Sequence, residues 1–152
     1  MPVLVRSRLR RKIIFLPRIQ TLAQKILAAA GAPKAELSLD LVGDRRIRRL
    51  NRQHRGRDYP TDVLAFPMRN VVGPASSLLG DVVISLHTAA RQAKARGHSL
   101  DHEVGILLIH GTLHLCGYDH ERGMREARRM RRKERAILES LKPLPKLITS
   151  SE

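Results

Sequence analysis

Three histidines stand at H-x3-H-x5-H in one short segment, His110-Gly111-Thr112-Leu113-His114-Leu115-Cys116-Gly117-Tyr118-Asp119-His120. Imidazole is a common metal ligand and binds through an unprotonated ring nitrogen. Residues four apart on a helix lie on one face, one turn apart, so His110 and His114 can address a single point. Gly117 can end such a helix in a left-handed conformation and swing the chain back, which brings His120 to the same point. Three converging imidazoles leave a fourth tetrahedral position open, the ligand pattern of a catalytic zinc site rather than a closed structural one. Unrelated core or surface histidines would explain one such residue more easily than three with a glycine at the required bend.

The elements that must position this segment are legible from periodicity. Ser99 is expected to cap a helix running to about Cys116, with Asp101 and Glu103 in its first turn, where the helix dipole favours acids. Val104, Ile106, Leu107, Leu108, Ile109, Leu113 and Leu115 cover most of its circumference, which predicts a central, buried helix. Upstream, the pattern predicts a short strand at Val3-Leu4-Val5, a helix from Pro17 closed by Gly31, and an alternating strand from Glu36 to Val42. Asp44 should cap a helix over about 45–53 with Ile47 and Leu50 inward, followed by a polar loop from Gln53 to Asp62. Strands are expected from Asp62 to Phe66 and from Gly80 to Ser85, with a turn over 70–77 between them. A helix from Leu86 to Arg96 between Ser85 and Gly97, and a last helix from about Arg122 to Leu141 with Met124, Ala127, Met130, Ile137 and Leu141 inward, complete the series. The order predicts an α+β fold: a small mixed four-stranded sheet packed with about five helices, the metal site at the end of the central buried helix. Residues 1–141 are expected to form one domain, and residues 142–152, with two prolines and a polar end, a loose tail.

The chain has 152 residues, 42% of them apolar and 28% charged, which suits one packed domain. A single Cys excludes an internal disulfide framework and a Cys-rich zinc site. No apolar run approaches the roughly 20 residues of a membrane span. Lys and Arg number 29 against 14 Asp and Glu, a formal charge of +15, and 15 of the basic residues lie in residues 1–60 beside only 4 acids. Such an excess points to a polyanionic partner, RNA, DNA or an anionic membrane face. Aromatics at 3%, with no Trp, argue against recognition by base stacking. Residues 1–35 contain no acid, as transit peptides do, but the well-punctuated helix within them is expected to belong to the fold.

The histidine spacing is similar to that of the zinc proteases, H-E-x-x-H-x-x-G-x-x-H, but Gly111 stands where their general base Glu would be. The wider set resembles the YbeY endoribonucleases, bacterial ribosomal-RNA maturation factors. Their signature is matched by His110-Gly111-x-Leu113-His114-Leu115-x-Gly117-Tyr118-Asp119-His120. A second block, Leu50-Asn51-x-x-x-Arg55-x-Arg57-Asp58-x-Pro60-Thr61-Asp62-Val63-Leu64-Ala65-Phe66-Pro67, and a third, Leu79-Gly80-Asp81-Val82-Val83-Ile84-Ser85, agree in order. Two departures are Ala65, where the family usually has Ser, and His54, where an aromatic is common. The resemblance implies one zinc per chain on His110, His114 and His120, a basic groove with Arg55 as its functional arginine, and His114 and Arg55 as catalytic residues. It also implies cleavage of single-stranded RNA in 16S rRNA 3′-end maturation and ribosome quality control, with the small ribosomal subunit as partner, a cytoplasmic location and no membrane.

Two other classes compete: a zinc metalloprotease-like hydrolase, and a non-catalytic basic ribosome-assembly or RNA-binding factor with structural zinc. Asp119 reads equally as a carboxylate behind an imidazole or as a helix cap, and Asp81 as a strand residue that could line the site. Asp58, Thr61 and Asp62 are expected to hold their loop through local hydrogen bonds, with Asp58 also able to pair with a nearby Arg, and His54 reads as a solvated loop residue that could instead line the groove beside Arg55. His87, His98 and His102 read as surface residues and Cys116 as core. Arg45, Arg46, Arg48 and Arg49 are the candidates for phosphate contacts, more than the arginines of 128–132.

Overall fold

The computed structural model describes residues 3–7, 9, 12–68 and 78–150. The turn expected over 70–77 lies outside these described residues. Four strands, β1 (Val3–Ser7), β3 (Glu36–Val42), β4 (Val63–Pro67) and β5 (Leu78–Ser85), form a sheet in the order β1-β3-β5-β4. β1, β3 and β5 are parallel and β4 pairs antiparallel with β5, so the sheet is mixed as expected. Five helices accompany it: α1 (Leu16–Ala29), α2 (Asp44–Arg55), α3 (Leu86–Arg96), α4 (Leu100–Leu115) and α5 (Met124–Leu141).

Strand side chains alternate between two faces. Val3, Val5, Leu37, Leu39, Leu41, Val82 and Ile84 point to one face and are buried in one cluster with Ile19 and Ile26 of α1 and Leu108 and Leu113 of α4. Val83 and Leu64 point the other way and join Val42 and Ile47 in a smaller core beneath α2. α4 has ten buried residues, including Val104, Leu108 and Thr112, which confirms it as the central helix. Ser85 and Ser99 cap α3 and α4 as expected, accepting from the Thr88 and His102 amides.

Several local expectations are corrected by tertiary partners. Asp44 makes no cap for α2, whose N-cap is Gly43. Its amide instead donates to His87 Nδ1 at 3.1 Å, and its carboxylate accepts from Ser85 Oγ and Thr88 Oγ1, both at 2.7 Å, and pairs with Arg91. His87, read as a surface residue, is exposed and in addition accepts from the first amide of α2. Asp101 and Glu103 do more than face the dipole. Glu103 is fully buried between Arg96 and His98, and Asp101 accepts from the Leu147 and Ile148 amides. Met124, expected inward, is 77% exposed because the chain enters α5 only at that residue.

Residues 142–150 are not a loose tail. Leu147 and Ile148 are buried, and β6 (Ile148–Ser150) pairs antiparallel with β2 (Lys12–Ile14). Each strand has only three residues, too few to show an alternation in sequence.

Candidate metal centre and active site

α4 ends at Leu115 with Cys116 as its cap, and Gly117 follows at φ +99°. That conformation costs a residue with a Cβ but not glycine. The reversal places a 3-10 turn, His120–Arg122, beside the end of α4, and Asp119 caps this turn by accepting from the Glu121 amide. The three imidazoles thereby meet. Their ring centroids lie 5.0 Å apart in all three pairs, and one nitrogen from each falls within 4.8 Å of the others. His114 Nε2 and His120 Nδ1 face each other at 3.0 Å. Tetrahedral zinc with bonds of about 2.0–2.1 Å holds its nitrogens about 3.3 Å apart, so the cluster fits such an ion with small adjustments. Among the described residues it is the one group of this kind.

Burial, followed by the neighbouring His110 and His120, lowers the pKa of His114, while Asp119 and Glu121 act in the opposite sense. The neutral ring this favours is the form that binds metal. Behind His110, Nδ1 lies 3.1 Å from Glu134 Oε2 of α5.

Gly111 sits one residue after the first histidine, against the sheet. A Cβ there would meet Val82 Cγ1 at 2.9 Å, Val82 Cγ2 at 3.2 Å and Val63 Cγ2 at 3.3 Å. The position used by the zinc proteases for their catalytic Glu is thus filled by the packing of α4 on β4 and β5. No carboxylate base fits there.

A cavity of about 890 Å³ opens over the histidines and extends along β4 to Asp81, Asp40 and Arg6. Arg55 lines it. It is the last residue of α2 rather than a loop residue, since the helix runs on to Gly56, which is left-handed. Its Nη2 donates to Glu121 Oε1 at 3.4 Å, and that same oxygen lies 4.0 Å from His120 Nε2. The guanidinium is therefore one carboxylate away from the triad. His54 is helical rather than in a loop, exposed, tilted against the Phe66 ring at 4.7 Å, and lines the cavity beside Arg55.

Of Arg45, Arg46, Arg48 and Arg49, only Arg46 lines the cavity, and its Nε is buried without a hydrogen-bond partner. Arg48 is committed to Asp58 at 2.9 Å. The cavity wall carries Arg6, Arg46, Arg55 and Arg57, but also Asp40, Asp62, Asp81 and Glu121, and Arg6 is paired with Asp40. It is a mixed wall, not a uniformly basic groove. Asp62 accepts from the Val63 amide and from Thr61, as expected for residues that hold the loop. His98 and His102 lie at the opposite end of α4, their rings 4.5 Å apart. Cys116 is half-buried, burial raises its pKa, and it is not part of the histidine cluster.

Sequence reasoning missed Glu134 and Glu121. Glu134 stands between Met130 and Ile137 on the buried stripe of α5, and a carboxylate within an apolar stripe was the available signal.

Known proteins similar to this chain share one family description. The sequence model described as Endoribonuclease YbeY matches residues 7–142. The Endoribonuclease YbeY of Geobacter metallireducens is 47% identical over 142 residues, covering 90% of this chain and 93% of that protein. That of Aquifex aeolicus is 44% identical over 134 residues, 88% of this chain and 89% of that protein. That of an Anaeromyxobacter species is 56% identical over 117 residues, 77% of this chain and 60% of that longer protein. The solution structure of TM1509 from Thermotoga maritima superposes with a TM-score of 0.63 at 25% identity, covering 91% of this chain and 88% of that one. A match across most of the chain, close relatives over nearly their full length and a shared fold leave one conclusion: the chain belongs to the Endoribonuclease YbeY family.

Proposed function

We propose that this protein is a metal-dependent endoribonuclease that cuts single-stranded RNA during maturation of ribosomal RNA, with one zinc ion held by His110, His114 and His120 and with Arg55 and His114 as its catalytic residues. The observation that carries this reading is the meeting of three imidazoles at the mouth of a cavity that also receives an arginine. The unpartnered, buried Arg46 Nε in the same wall supports an anionic occupant, because a buried donor without an acceptor is costly unless a ligand supplies one.

A zinc ion bound there would supply a Lewis acid at the scissile phosphodiester and make water more acidic. The chain's own residues do the rest. Arg55 presents a planar, permanently charged fork that can donate to two phosphate oxygens and offset the negative charge that gathers on them in the transition state. In the free protein Glu121 holds this fork beside His120, so substrate phosphate must replace the carboxylate at 3.4 Å. Gly111 and the packed valines behind it close the rear of the site. The small ribosomal subunit as partner and a cytoplasmic location follow from this role. No helix of the described residues is long and apolar enough to cross a membrane.

The test pairs metal analysis of the purified protein with cleavage of a single-stranded RNA, with and without chelator. One zinc per chain and chelator-sensitive cleavage are expected. His114→Ala should lose both, whereas Arg55→Ala should keep the metal and cut on the order of 10²–10³-fold more slowly. Full activity in both variants overturns the assignment. RNA that is bound with steep salt dependence but left intact would identify a non-catalytic binding factor instead.

A further inference from the structure

A histidine can ligate a metal only through a nitrogen that carries no proton, and which nitrogen is free depends on what the other one does. His114 and His120 face each other across the cluster, but His110 has a second partner behind it: Glu134 Oε2 lies 3.1 Å from its Nδ1. The two side chains are 26% and 24% exposed, sheltered enough for the bond to be little screened. An ionised carboxylate can only accept, so this contact requires the proton on Nδ1 and leaves Nε2 as the lone-pair nitrogen for the cluster.

We infer that Glu134 is the positioning residue for the metal centre: it locks His110 in the Nδ1-protonated tautomer and orients its Nε2 toward His114 and His120. The inference rests on the metal reading proposed above and adds a residue to it from a helix outside the histidine motif. Alternatives within the motif are already committed. Asp119 caps the 3-10 turn and pairs with Arg122, and Glu121 is engaged by Arg55. Glu134 is also well placed to stay where it is. Met130 and Ile137, at i−4 and i+3, are buried and anchor this face of α5. A carboxylate behind a ligating imidazole both fixes the ring and raises its basicity, and loss of such a partner typically weakens metal binding about 10–100-fold.

Two measurements test this. In the metal-free protein, the ring nitrogen shifts of His110 read its tautomer directly. The wild type should show the Nδ1-protonated form, and Glu134→Ala should revert to a mixture dominated by the Nε2-protonated form. In chelator competition, Glu134→Ala should bind zinc about 10–100-fold more weakly, and Glu134→Gln, which keeps an acceptor oxygen without the charge, should recover part of the loss. Glu139→Gln, an exposed carboxylate of the same helix, should leave both readouts unchanged. A His110 tautomer indifferent to Glu134, or zinc affinity equal to wild type in both Glu134 variants, overturns the inference. If Glu134→Ala does not fold, the near-isosteric Gln variant decides on the same two readouts. Wild-type protein that binds no zinc yet shows the Glu134-dependent tautomer would count against the metal reading and leave the positioning role standing.

Discussion

The glycine beside the first histidine leaves no room for a side chain between α4 and the sheet. Gly111 rides on the same turn of α4 as His110 and packs within 2.9 Å, by its absent Cβ, of Val82. Gly111→Ala must push α4 away from β5 or displace Val82 and Val63, at a cost of about 1–3 kcal/mol for overpacking. The same shift would move both helical histidines, so zinc affinity should fall together with stability. Urea unfolding and chelator competition check this, and a variant as stable and as tight as wild type would show that the packing is looser than the distances imply. Gly111→Glu, which recreates the protease-like spacing, should be worse on both counts and gain no peptidase activity. His110, His114 and His120 were readable as a cluster from spacing alone, because helix geometry fixes the first two and Gly117 the third. Glu134 was not readable as their partner, since no local rule relates residues 24 apart on different helices.

Among the elements, α2 and α3 are fastened to each other through polar groups at their starts. Asp44 accepts from Ser85 and Thr88 and pairs with Arg91, while His87 accepts from the Asp44 amide. Burial alone would raise the Asp44 pKa, but the hydrogen bonds from Thr88, Ser85 and Arg91 outweigh it and hold the carboxyl below its ordinary range. A carboxyl depressed in the folded state stabilises that state fully above the unfolded value of about 3.9, and the contribution is lost as pH falls through the folded value. Asp44→Asn should therefore destabilise the protein by about 1–3 kcal/mol at neutral pH, with a difference that shrinks below about pH 4. Denaturant titrations at the two pH values measure it. A difference of equal size at both would mean that charge is not what matters at this junction. The junction lies at the start of α2, the helix that ends on Arg55 and carries Arg46.

For the whole molecule, closure depends on the segment after α5. Leu147 and Ile148 are buried, their amides donate to Asp101 at the start of α4, and β6 completes a two-stranded sheet with β2. Leu147→Ala should cost about 2–5 kcal/mol, the usual range for a buried leucine, whereas Leu4→Ala at a 55% exposed site should change stability by about 0.5 kcal/mol or less. Equal effects in unfolding experiments would contradict the docking of this segment. The net charge of +15 is likewise a property of the whole molecule rather than of the site. The cavity wall balances four arginines with four carboxylates, and much of the excess lies on exposed faces such as Arg45, Arg49 and Arg52 of α2. That distribution suits long-range attraction of a polyanion, with local discrimination left to the few groups inside.

What the sequence determined by itself was whatever periodicity and turn chemistry control: the separate strands of the main sheet, five helices, the caps at Ser85 and Ser99, and three histidines around a helix end bent by Gly117. Each of these depends on residues a few positions apart. The tertiary structure alone decided what depends on separation in space. It assigned Glu134 to His110, His87 to the start of α2, Asp101 to the C-terminal segment and Glu121 to Arg55. A polar side chain in solution has many equivalent partners, and only the packing of elements from distant parts of the chain selects one of them.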